Sequence, residues 1–149
     1  MPSPSTTALT GRCLCGAVTI TLAGEHEEQV GACHCRMCQR WSGGLFLCFE
    51  AEASAVTVSG EVTRYRSSSF AERAFCPRCG SHLWFSDVPE GGEPTSYELM
   101  PGLFDAARRW PLRSEVYADR ALASVSLAGE HRRKTQAEYE AVNPFVGEP

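Results

Sequence analysis

The sequence predicts a β-rich, all-β-type domain tied together by clustered cysteines. Three observations carry this. Short stretches of alternating apolar and polar residues recur at close spacing. Helical periodicity is scarce and clearest near the C-terminal end. Seven of the eight cysteines fall into three tight groups, Cys13-Cys15, Cys33-Cys35-Cys38 and Cys76-Cys79. A chain of 149 residues has the size of one domain. Residues 1–10 are expected as a flexible start and 11–149 as a single domain.

The elements follow in order. In "TALTGRCLCGAVTITLAG", Val18, Ile20 and Leu22 alternate with Thr19 and Thr21, which marks a strand with one buried face ended by Gly24. "CRMCQRWSGG" can open a short helix that stops before Gly43 and Gly44. "LFLCFEA" reads as a strand, and "SAVTVSGEVTRYRSS" as two more that turn near "SGE". "HLWFS", "TSYELM" and "SEVYA" are further strands, and "LASVSL" alternates cleanly as another. "DVPEGGEPTS" is a Gly- and Pro-rich loop. "TQAEYEAVNP" is the C-terminal helix: Thr135 and Glu138 form a capping box and Pro144 ends it.

Net charge is −4 and the pI about 5.6, which provides no electrostatic attraction to nucleic acid or an anionic membrane. The one dense basic run, "HRRK" at 131–134, reads as a solvated loop before the last helix. The N-terminus is polar, and the longest apolar run, "LFLCF", is too short to span a bilayer. The expectation is a soluble, cytoplasmic protein. In that reducing setting grouped thiols bind metal more often than they form disulfides.

The cysteine spacing has a physical basis. Residues i and i+2 of an extended segment share a face, so Cys-x-Cys aims two sulfurs at one point. A Cys-x-x-Cys turn brings its sulfurs together by folding back. In "FCPRCG", Pro77 presets φ and Gly80 suits a left-handed closure, the pattern of a zinc knuckle. A knuckle supplies two ligands and zinc usually takes four. Cys13 and Cys15 are the natural partners of Cys76 and Cys79, because that loop constrains the most unfolded chain. Cys33, Cys35 and Cys38 then remain as a trio. Its fourth ligand can be His34, which should point away from its neighbours; Cys48, which reads as a buried strand thiol; His82; or a water or outside thiol. Three protein ligands with an open position is the pattern of a chemically active zinc.

"GRCLCGAVTI", "GACHCRMCQRWSGG" and "TRYRSSSFAERAFCPRCGSHLWF" together resemble the glutathione-dependent formaldehyde-activating enzyme family, the GFA or centromere-protein-V-like domain. The resemblance runs from about Gly11 to Phe85. It implies a β-tent fold of several short antiparallel sheets with two zinc sites. Cys13, Cys15, Cys76 and Cys79 match the structural site, and Cys33, Cys35 and Cys38 the active, more labile one. It further implies a carbon–sulfur lyase type of reaction that forms or cleaves S-hydroxymethylglutathione from glutathione and formaldehyde. After Phe85 the chain keeps Asp105 and Pro111 where the family has an acidic turn and a proline. The family's His-Ile position holds Ser114-Glu115, and its late tryptophan is absent.

Glutathione is anionic, so its pocket should offer cations. Arg36 and Arg40 flank the trio, and Trp41 can wall a pocket; these three are the expected cofactor-binding residues. Arg64, Arg66 and Arg73 are further candidates, of which most should be solvated strand-face charges. Two other readings stay open: a non-catalytic glutathione- and zinc-binding module, and a structural scaffold with two closed zinc sites.

Overall fold

A computed structural model describes residues 5–88 and 92–146. The strands in chain order are β1 (Leu9–Arg12), β2 (Thr19–Leu22), β3 (Val30–Cys33), β4 (Phe46–Glu52), β5 (Val56–Ser59), β6 (Thr63–Arg66), β7 (Ala71–Phe75), β8 (His82–Asp87), β9 (Ser96–Leu99), β10 (Leu112–Val116) and β11 (Arg132–Lys134). Two α-helices, α1 (Arg36–Ser42) and α2 (Gln136–Val142), complete the regular structure together with short 3-10 turns. The protein is β-rich with a short C-terminal helix, as its sequence pattern predicts.

Contacts divide the chain into two compact units. The first comprises the residues up to Gln29 and Cys48–Trp110; the second comprises Val30–Leu47 and the residues from Pro111 onward. In the first unit β1, β2 and β5 form an antiparallel sheet, with Ile20 opposite Gly11 on one side and Val58 on the other. β4, β9, β8, β7 and β6 follow one another as a second antiparallel run. The core lies here. Val18, Ile20, Leu22, Leu83 and Leu99 are all 0% exposed, and full burial of each larger aliphatic contributes about 1.5–3 kcal/mol. Phe49 meets Phe104 and Trp110 edge-on at 5.3 and 4.9 Å. A Cβ on Gly11 would lie 2.7 Å from the Phe104 ring, so β1 needs a glycine where it crosses that ring.

In the second unit β3, β10 and β11 pair in parallel, with Val116 opposite both Cys33 and Lys134. Parallel neighbours need a crossover of a dozen residues or more. Residues 117–131 provide it between β10 and β11. That requirement overrides the alternation of "LASVSL": residues 122–127 hold no strand, and a turn at Ala123-Ser124 is closed by Val125 N–H bonded to Leu122 O at 2.9 Å. "HRRK" is not a plain loop either, since Arg132–Lys134 is β11. The two strands of "SAVTVSGEVTRYRSS" exist but do not form a hairpin. β5 pairs with β2 and β6 with β7. The expected loop at 87–96 lies partly outside the described residues. No helix among the described residues is long and apolar enough to cross a membrane.

Candidate functional site

The first cluster is built from two turns. β1 runs into Cys13 and a turn holding Cys15, with Gly16 N–H bonded to Cys13 O at 3.1 Å. The β7–β8 connection holds Cys76 and Cys79, with Gly80 N–H bonded to Cys76 O at 2.8 Å. Gly80 has φ +79°, the left-handed closure expected of the knuckle. The four Sγ atoms all lie within 4.8 Å of one another. Cys13 to Cys15 is 3.6 Å and Cys15 to Cys76 is 3.8 Å. Four sulfurs at the zinc–thiolate bond length on a tetrahedron stand about 3.8 Å apart, so the set fits such an ion.

Polar hydrogens converge on these sulfurs. Val18 N–H donates to Cys13 Sγ at 3.3 Å. Ser81 joins the two turns: its Oγ accepts from Leu14 N–H at 3.0 Å and stands 3.1 Å from Cys79 Sγ. The Ser81 hydroxyl, then the N–H groups of Ser81 and Cys15, draw the Cys79 thiol down to about 5. Ala17 N–H lowers the Cys15 thiol, but desolvation and its sulfur neighbours push it up to about 11. Burial raises the Cys13 thiol, yet the Val18 N–H and the sulfurs of Cys15 and Cys76 outweigh it and lower the net value. Four converging thiols split in this way because their charges repel, and a divalent cation is what lets all four ionise together.

The second cluster lies wholly in the second unit. β3 ends at Cys33, His34 follows, and Cys35, itself extended at φ −64° and ψ 157°, caps α1. The Cys35 sulfur accepts the Cys38 N–H at 3.4 Å, so the Cys-x-x-Cys spacing is also the spacing of a helix cap. Gly43, with φ +84°, closes the helix where the sequence predicts. The sulfurs of Cys33, Cys35 and Cys38 lie within 4.8 Å of one another, and among the described residues no fourth Cys, His, Asp or Glu joins them. Cys35 and Cys38 are buried and Cys33 is partly exposed. The neighbouring thiols of Cys35 and Cys38, then desolvation, push Cys33 well above its ordinary value.

The remaining candidates fall as follows. His34 does point away from the sulfurs: its Nε2 faces Glu115 Oε1 at 2.7 Å. Cys48 is half-exposed rather than buried, belongs to neither cluster, and hydrogen-bonds Glu98. His82 also lies outside both clusters, and burial with nearby Arg73 lowers its pKa. Arg36 and Arg40 are exposed on α1, and Trp41 is half-buried. Arg64 lies over the Trp84 ring at 5.7 Å, and Arg66 bonds the carbonyls of Ser69 and Val88 at 2.7 and 2.9 Å. Arg73 is 2% exposed against the Phe85 ring, so it is no solvated charge.

Sequence reasoning missed Ser81, Glu115, His131 and Tyr117. Tyr117 follows β10 with φ 55°, the one non-glycine residue with positive φ among the described residues. Such a conformation costs of order 1 kcal/mol or more and persists only where its surroundings hold it. Tyr117 is buried and its hydroxyl donates to Glu140 Oε1 at 3.1 Å; burial and that carboxylate raise its pKa. The departure at the family's His-Ile position, which holds Ser114-Glu115, was the available signal for Glu115.

The profile of the family described as "Glutathione-dependent formaldehyde-activating enzyme" matches residues 8–120. The chain belongs to this family. Among curated relatives of this GFA-family chain, an uncharacterized lyase of Schizosaccharomyces pombe is 39% identical over 73% of this chain and 77% of its own length. A putative glutathione-dependent formaldehyde-activating enzyme of Halomonas elongata is 32% identical over 53% of this chain and 56% of its own. A crystal structure of a Rhodobacter sphaeroides protein aligns with a TM-score of 0.51 at 24% identity, over 70% of this chain and 99% of that one, and so shares the fold.

Proposed function

We propose that this GFA-family chain is a zinc enzyme of carbon–sulfur lyase type that joins a small thiol to a small aldehyde, or cleaves the adduct. Glutathione and formaldehyde, giving S-hydroxymethylglutathione, are the pair the family's description suggests. The observation that carries the reading is the difference between the two clusters: four sulfurs in one, three in the other. Cys13, Cys15, Cys76 and Cys79 are assigned a structural zinc. Cys33, Cys35 and Cys38 are assigned the active one, with a labile fourth ligand from outside the chain. None of the eight cysteines is in a disulfide, which leaves every sulfur available for metal ligation.

Cys33, Cys35 and Cys38 would hold the zinc, which when bound would supply a site that lowers the pKa of an incoming thiol and, more weakly, Lewis acidity toward a carbonyl. The rest is work for the chain. Addition forms one sulfur–carbon bond, turns the carbonyl oxygen into a hydroxyl, and moves the thiol proton to that oxygen; no redox partner is needed. Burial of Cys35 and Cys38 keeps water from one side of the trio. Arg36 and Arg40 on α1 supply positive charge for the carboxylates of glutathione, and Trp41 supplies an apolar wall.

Zinc per chain, measured with and without millimolar glutathione in the parent and in Cys35→Ser, tests the reading beside an adduct-formation assay. Two zincs in the parent, one in Cys35→Ser, and saturable thiol-dependent turnover only in the parent are expected. Two tightly held zincs with no turnover would make the chain a scaffold. Loss of one zinc to glutathione without product would make it a binding module.

A further inference from the structure

Behind the Cys33–Cys35 segment stands a network of ionisable side chains that the proposed reaction leaves unused. His34 is 1% exposed and Glu115 is 6% exposed. His34 Nε2–H donates to Glu115 Oε1 at 2.7 Å. The other carboxylate oxygen accepts from His131 Nε2–H and, at 3.1 Å, from Arg133 Nε–H. Arg133 Nη2 in turn reaches Leu127 O at 3.2 Å. The register makes this possible: Glu115 of β10 sits opposite Ala32 on one side and Arg133 on the other. Burial opposes ionisation of Glu115, but the hydrogen bonds from His131 and His34 outweigh it and hold the carboxyl below its ordinary value.

Buried ionic groups seldom add net stability over well-packed apolar ones, whereas in some proteins they enforce one arrangement. Here the arrangement concerns the sulfurs. Side chains alternate along an extended segment, so fixing His34 on Glu115 turns Cys33 and Cys35 to the opposite face. His34 N–H, bonded to Val116 O at 3.1 Å, fixes the backbone at the same point.

We propose that Glu115 is a positioning residue: it acts through His34 to keep the Cys33 and Cys35 sulfurs converged with Cys38, while His131 and Arg133 hold Glu115. This rests on reading the trio as a metal site. Groups that orient metal ligands from behind are commonly worth about 10–100-fold in metal affinity.

The test follows zinc retained per chain against increasing chelator in the parent, Glu115→Ala, His34→Leu and His34→Gln. Glu115→Gln, which keeps the side-chain volume, replaces Glu115→Ala if that variant does not fold. Glu115→Ala and His34→Leu should weaken retention of one zinc about 10–100-fold and leave the other zinc and the circular dichroism unchanged. His34→Gln keeps an N–H near the imidazole Nε2 position and should recover most of the loss. Parent-like retention of both zincs in Glu115→Ala overturns the proposal. So does loss of both zincs together with the melting transition in every variant, His34→Gln included, since that is simple destabilisation. If the parent itself retains a single zinc, the metal-site reading fails separately, and iodoacetamide labelling mapped by peptide mass decides the positioning role. Faster labelling of Cys35 and Cys38 in Glu115→Ala, with Cys13 and Cys76 unchanged, supports it; an unchanged pattern overturns it.

Discussion

The two cysteine clusters use the same element in different surroundings. Around Cys13, Cys15, Cys76 and Cys79 stand neutral donors: the N–H groups of Val18, Ala17, Ser81 and Cys15 and the hydroxyl of Ser81. At Cys33, Cys35 and Cys38 the Cys38 N–H caps Cys35, and behind His34 stands a carboxylate shared by two histidines and an arginine. Four thiolates on a divalent ion leave a net double negative charge that backbone dipoles can share. Three leave less charge and need direction more than compensation. The number of sulfurs and the kind of support vary together.

Replacing one sulfur in each cluster strains this contrast hardest. Cys79→Ser should lose the cooperative melting transition, because binding at a structural zinc is itself folding free energy of about 10–16 kcal/mol in isolated peptides. Cys35→Ser should melt close to the parent while losing turnover and one zinc. Calorimetry with metal analysis reads both, and equal destabilisation by the two would erase the distinction.

Ser81→Ala sharpens the neutral side of the comparison. It removes the hydroxyl between Leu14 N–H and Cys79 Sγ, and should cost about 1 kcal/mol in thermal or denaturant unfolding. The trio at Cys33 should be untouched.

The smallest effect is expected away from both clusters, at Glu98. Burial first, then Glu50, Glu27 and Asp87, push its carboxyl up from 4.5 to about 7, against a hydrogen bond from Cys48. A carboxyl raised on folding binds its proton more tightly in the native state. Its contribution is therefore complete below about 4.5 and is lost as pH rises through about 7. Glu98→Gln should flatten the stability–pH curve across that window in denaturant titrations, without altering zinc content. A parent curve already flat there would show that Glu98 ionises as an ordinary glutamate.

Local chemistry was legible in the sequence. The Cys-Pro-x-Cys-Gly turn, the alternation of Val18, Ile20 and Leu22, and the Thr135–Glu138 capping box each specify their structure within a few residues, and each is present. The grouping of seven cysteines into a four and a three follows from spacing and loop closure alone. What stayed hidden depends on pairing at a distance. "LASVSL" carries a strand pattern, but a parallel β10–β11 pair needs those residues as crossover. His131 and Arg133 sit in a basic run that reads as solvated until β11 lies beside Glu115. Gly60 does turn the chain after β5, with φ +105°, yet the partner of β5 is β2 rather than the nearby β6.

The parallel trio β3, β10 and β11 has a consequence for the order of events during synthesis. A nascent chain that has emerged as far as Trp110 carries all seven clustered cysteines. It therefore has every ligand of the four-sulfur centre, but none of β10 or β11. Cys33, Cys35 and Cys38 are then present without Glu115 and His131 behind them. The ribosome thus delivers every sulfur of the four-sulfur cluster first and the supports of the three-sulfur cluster last, a temporal separation between the two clusters.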